Sequence, residues 1–117
     1  MTGKAKTLDD LLKLKGVVAA GEFTLDGKLG KYKTNKGYDL SEEQAGLTAQ
    51  FSATITQVFN TVAGAYEKIK GESWTPQQGW AYSGGDYSVA VGGNRGVFVK
   101  TAEADYNQLF EALVGPR

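Results

Sequence analysis

From Gln44 through Tyr66 the chain carries no charged residue at all. Within and just beyond that run, Leu47, Phe51, Ile55, Val58, Val62, Tyr66 and Ile69 recur at intervals of three and four, the period of an α-helix. Ser41 followed by Gln44 forms a capping box, Leu40 and Ala45 form a hydrophobic staple around it, and Gly71 offers a stop. The pattern predicts one long helix ending near Lys70, with its large apolar stripe against a sheet. A second stripe, Ala45, Ala49, Ser52, Thr56, Phe59 and Ala63, lies on the adjacent side. An exposed helix face normally carries charge, and small residues let a second helix approach closely. This second stripe is therefore expected to be a homodimer interface; the competing reading is a polar, solvated face built on Thr48, Thr54, Gln57 and Asn60.

The flanking sequence supplies a sheet for that helix. Thr7 caps a short amphipathic helix expected over residues 7–15 and closed by Gly16, with Leu8, Leu11, Leu12 and Leu14 as its apolar positions. Residues 17–24 alternate weakly, and Asp26-Gly27 suits a tight hairpin turn into a second strand over 28–33. Lys28, Lys31, Lys33 and Lys36 read as charges guarding a sheet edge, or else as a basic docking patch. Beyond the long helix, residues 78–83, 86–91 and 97–100 form an antiparallel meander with turns at Gly84-Gly85 and across residues 92–96. Thr101 is expected to cap a final helix ending at Gly115-Pro116. With 117 residues, no repeat and no linker, one domain over 1–117 is sufficient.

Composition narrows the function. The chain has neither His nor Cys, so a Ser-His-Asp triad, a Cys-His pair, a disulfide and the usual zinc sites are excluded. The acidic residues fall at turns and helix starts, where solvation or capping accounts for them, and no catalytic residue, metal or cofactor is assigned. Gly92-Gly93-Asn94-Arg95-Gly96 lacks the lysine and Ser/Thr of a phosphate-binding loop and precedes a strand rather than a helix, so it reads as a hairpin. A formal net charge of zero argues against nucleic-acid binding. No apolar run has the length of a signal peptide or a membrane span, and a cytoplasmic location is expected.

What remains is binding. Both tryptophans fall in Trp74-Thr75-Pro76-Gln77-Gln78-Gly79-Trp80-Ala81-Tyr82, beside amide side chains and a proline. Aromatic rings with a polar tip are enriched at interfaces. Trp74, Gln77, Gln78, Trp80 and Tyr82, with Arg95 at the tip of the next loop, are the candidate contacts for another protein or for a small ligand. The competing reading places Trp80 in the core and Trp74 over the end of the long helix.

The order helix, hairpin, long helix, three-stranded meander, helix resembles the roadblock/LC7 fold. Leu14-Lys15-Gly16-Val17-Val18-Ala19-Ala20-Gly21 followed by Leu25-Asp26-Gly27 is similar to that family's opening segment. More closely, Leu8-Asp9-Asp10-Leu11-Leu12, the segment from Trp74 to Trp80, and Gly92-Gly93-Asn94-Arg95-Gly96-Val97-Phe98-Val99 resemble DUF2173, a prokaryotic family of unknown function related to roadblock domains. The resemblance implies an α+β, profilin-like sandwich. A five-stranded antiparallel sheet would carry the long helix on one face and the two terminal helices on the other. It also implies dimers in which the long helices and an edge strand meet across a two-fold axis, and a non-catalytic role as scaffold or as regulator of small GTPases. The tryptophan segment is not a general roadblock feature.

Overall fold

The computed structural model describes residues 3–115. Helix α1 (Leu8–Leu12) leads into β1 (Val17–Phe23) and β2 (Leu29–Thr34). The long α2 (Glu42–Lys70) follows, then β3 (Gly79–Ser83), β4 (Tyr87–Gly92), β5 (Arg95–Lys100) and α3 (Tyr106–Val114). All neighbouring strands pair antiparallel in the order β2-β1-β5-β4-β3, so the lysine-bearing β2 is one edge and β3 the other.

Local chemistry sets the ends of the helices. At both α1 and α2 the capping box is complete. The Thr7 hydroxyl accepts from the Asp10 N–H and the Asp10 carboxylate accepts back from Thr7; Ser41 and Gln44 do the same for α2. Gly71 then ends α2 in the left-handed region at φ 72°, where glycine has no steric penalty. Two boundaries differ from expectation. α1 stops at Leu12, with Lys13 as its C-cap. Thr101 opens only a single 3-10 turn, Thr101–Glu103, while α3 starts later on Asp105, whose carboxylate accepts from the Gln108 N–H. Pro116 lies outside the described residues.

The two faces of the sheet are filled differently. Leu8 and Leu11 of α1, with Leu109, Ala112 and Leu113 of α3, pack onto Val17, Ala20, Ala90, Val97 and Val99. α3 comes closest at the Gly79–Gly92 cross-strand pair, where a Cβ on Gly92 would lie 2.6 Å from Val114 Cγ1 and 2.9 Å from Leu113 Cβ. On the opposite face α2 lies over Phe23, Leu29, Val89 and Val91, and it does so with its small residues.

This reverses the expected orientation of the long helix. Ala45, Ala49, Ser52 and Thr56 are each 4% exposed on the side that meets the domain's own sheet, and Ala63, 5% exposed, lies beside residues 73–80; of the stripe expected at a dimer interface, only Phe59 stays exposed. The stripe expected to face the sheet is the outer one: Leu47, Phe51, Val58, Val62, Tyr66 and Ile69 are all exposed, and Ile55 alone of the stripe is half-buried. The reason is steric. The sheet already supplies the bulk of this layer through Phe23, Leu29, Trp80 and Phe98, so the helix contributes small side chains and approaches closely. What is left between them is an apolar gap of about 50 Å³.

Candidate functional site

The outer face of α2 is the largest unusual feature of the surface. Phe51 and Val58 are more than half exposed, with Leu47 beside them. A soluble domain seldom leaves such a contiguous apolar stripe in water, because each buried side chain of this size is favoured by roughly 1.5–3 kcal/mol. The sheet continues the surface. Trp80 and Tyr82 pair across β3 and β4 with Val91 and Val89, which places them on the α2 face, and Tyr82 is 66% exposed. Tyr87, two residues before Val89, extends it further, and Tyr38 packs at a tilt against Tyr87 at 5.4 Å and edge-to-face with Phe98 at 6.3 Å. Burial, and then the neighbouring Tyr87, hold the Tyr38 hydroxyl above its ordinary pKa.

At the C-terminal end of α2 the chain turns back as a strap, residues 71–78, and encloses a groove of about 550 Å³. Phe59, Val62, Ala63 and Tyr66 form its helical side and Ser73 through Trp80 its other side. Both tryptophans are fixed. The Trp80 indole N–H donates to Thr56 Oγ1 at 2.9 Å, and its ring lies 6.2 Å from Phe59. Trp74 packs on Tyr66 at 4.9 Å. The strap itself hangs on Glu67, whose Oε1 accepts from the Trp74 N–H at 3.1 Å, the Thr75 N–H at 3.2 Å and the Thr75 hydroxyl at 2.9 Å. Those donors hold the Glu67 carboxyl below its ordinary pKa, the Trp74 amide contributing most. Gln77 Oε1 is buried and has no hydrogen-bond partner.

Of the residues singled out in the sequence, the structure brings Trp74, Gln77, Gln78 and Trp80 together in this groove, with Phe59 and Ala63 from the small-residue stripe. Tyr82 lies outside it. Arg95 is the clear departure: it is no loop tip but the first residue of β5, 6% exposed, with its Nη2 donating to the Ala112 carbonyl oxygen at 3.3 Å. It faces the negative end of the α3 dipole, which makes it a fastener for that helix. The turn is three residues shorter than the glycine run suggested: β4 runs to Gly92 and β5 starts at Arg95, so Gly93, at φ 59°, and Asn94 reverse the chain by themselves. Sequence reasoning missed Glu67 and Tyr66. The available signal was that Glu67 is the first charge after the uncharged run, on the turn facing the strap. Among the described residues, no cluster of three or more His, Cys, Asp or Glu could hold a metal, and no helix is long and apolar enough to cross a membrane.

Comparison with solved structures confirms the architecture. The roadblock/LC7 domain from Streptomyces avermitilis superposes with a TM-score of 0.71 over 88% of this chain and 82% of that one, at 11% identity. The gliding protein MglB from Thermus thermophilus gives 0.65 over 87% and 73%, at 15% identity. A structure of MglB in a tetrameric arrangement gives 0.67 over 92% and 82%, also at 15% identity. These likenesses establish a roadblock/LC7 fold. No curated protein matches the sequence. The family model described as "Uncharacterized conserved protein (DUF2173)" matches residues 7–114, and the chain belongs to that family.

Proposed function

We propose that this chain is a non-catalytic, homodimeric scaffold or regulatory subunit that acts by binding other proteins. The observation that carries this reading is the exposed apolar face of α2, with Leu47, Phe51 and Val58 at its centre. Its neighbour is an edge strand of unusual character: β3, Gly79–Ser83, carries no charge, whereas the opposite edge, β2, carries Lys31 and Lys33. An unguarded edge beside an apolar helix face suits a second copy related by a two-fold axis, in which α2 meets α2 and β3 meets β3. The small residues expected at this contact from the sequence serve the domain's own packing, and the large ones take their place at the interface. The tetrameric arrangement of MglB, a protein of the same fold, supports the reading by analogy.

Light scattering at micromolar protein tests the reading. The wild-type chain is expected to run at twice the mass of a 12.5 kDa monomer, and Phe51→Glu is expected to halve that mass while leaving the circular dichroism spectrum folded. A wild-type monomer, or a dimer indifferent to Phe51→Glu, would sink it. A second reading, a small-ligand sensor, rests on the groove under the strap, whose size falls in the range of small-molecule sites.

A further inference from the structure

The groove under the strap has a spacing of its own. Its two aromatic pairs, Phe59 with Trp80 and Tyr66 with Trp74, are set by Phe59 and Tyr66, seven residues apart on α2. At about 1.5 Å per residue that separation is about 10.5 Å along the helix axis. A polyproline II segment completes its three-residue turn in about 9.3 Å, so its residues i and i+3 present the same face at nearly that interval. An extended strand does not match, since its same-face residues recur at roughly 6.6 Å.

Two further features narrow the occupant. No residue lining the groove carries a formal charge, which favours an uncharged ligand over an acidic or phosphorylated one. Gln77 Oε1 is one of only two buried side-chain polar atoms without a partner among the described residues, and it calls for a donor. A helical ligand has its backbone N–H groups already paired; a polyproline II segment leaves every non-proline N–H free.

We propose that this groove binds an uncharged, proline-rich segment of a partner protein, with prolines at i and i+3 seated on the two aromatic pairs and an intervening N–H donated to Gln77 Oε1, which the half-buried Gln77 side chain turns from its buried position into the groove to accept. Proline rings pack well on tryptophan and tyrosine faces, and the ligand loses little entropy because its conformation is largely set in advance. The groove is equally prepared, with Trp80 held by Thr56 and the Trp74 segment held by Glu67. The proposal rests on the reading of the chain as a protein-binding subunit and assigns that partner its chemistry.

The test titrates a short, uncharged, acetylated and amidated peptide with prolines at i and i+3 into the full-length protein, following the two indole N–H signals by NMR. Saturable shifts of both signals are expected, and binding should weaken about tenfold or more in Trp74→Ala and in Tyr66→Ala, both at exposed positions. The same peptide with its prolines replaced by alanine should weaken comparably. The proposal is overturned if millimolar peptide moves neither signal, if the alanine peptide binds as well, or if both folded variants bind unchanged. It is overturned in favour of a small-molecule pocket if free indole saturates those signals and the peptide does not. Light scattering on the same samples separates the two readings: a monomer that binds the peptide refutes the dimer alone, and a dimer that ignores it refutes the groove assignment alone.

Discussion

At the scale of single residues the strap depends on one carboxylate. Glu67 accepts three hydrogen bonds from Trp74 and Thr75, and these hold its pKa below the ordinary value. A group whose folded pKa is depressed contributes stability that is fully present above its unfolded pKa and is lost as pH falls through the folded one. Acidification through and below the usual glutamate range is therefore expected to release the strap, read as a change in tryptophan fluorescence, and Glu67→Gln should abolish that step. A pH profile identical in the variant would show that Glu67 is not the anchor. Thr56 holds the other tryptophan, and Thr56→Val leaves the half-buried indole N–H unpaired at a cost of about 1–3 kcal/mol, measurable by urea unfolding. Arg95 belongs to the same scale. Its place was illegible in the sequence, because whether an arginine beside a glycine run points to solvent or into the core depends on the length of the turn, and a left-handed Gly93 shortened it.

At the scale of elements the long helix decides the most and was the hardest to read. Its existence and both its ends were legible, since Ser41, Gln44 and Gly71 are local signals that act through their own backbone. Its rotation was not. Two stripes of the same period lie side by side on α2, and periodicity does not say which one meets the sheet. That is fixed by the volume already supplied from Phe23, Leu29 and Trp80, residues far away in sequence. The large stripe looked like core because large apolar residues usually are. Substitution tests the rotation directly. Ala53→Leu adds bulk where the helix packs tightly with Phe23 and Val91, away from the apolar gap, and should destabilise the fold by about 1–3 kcal/mol, whereas a polar residue at Leu47 should leave the unfolding free energy of a dilute sample nearly unchanged. The opposite pattern would restore the orientation expected from sequence.

At the scale of the whole molecule the two faces of the sheet have separate duties. α1 and α3 close one face, with Leu11, Leu109 and Leu113 almost wholly out of water and Arg95 fastening the α3 terminus. On the other face α2 is only half packed: its inner side is anchored by alanines, and its outer side, with Tyr82 and Tyr87, remains uncovered. In the proposed dimer the burial missing from the single chain would be supplied by association, which would link stability to assembly. If a second copy covers this surface, the folded dimer is favoured by mass action and the melting temperature should rise with protein concentration. In that case Phe51→Glu would remove the association while leaving the inner packing of α2 untouched, so its melting temperature should sit near the dilute limit of the wild type and should not move with concentration. Scanning calorimetry over a hundredfold range of concentration distinguishes the cases. A wild-type transition that stays fixed across that range would mean that the outer face of α2 contributes nothing to the fold through a second copy, and that its apolar stripe is kept for a different protein.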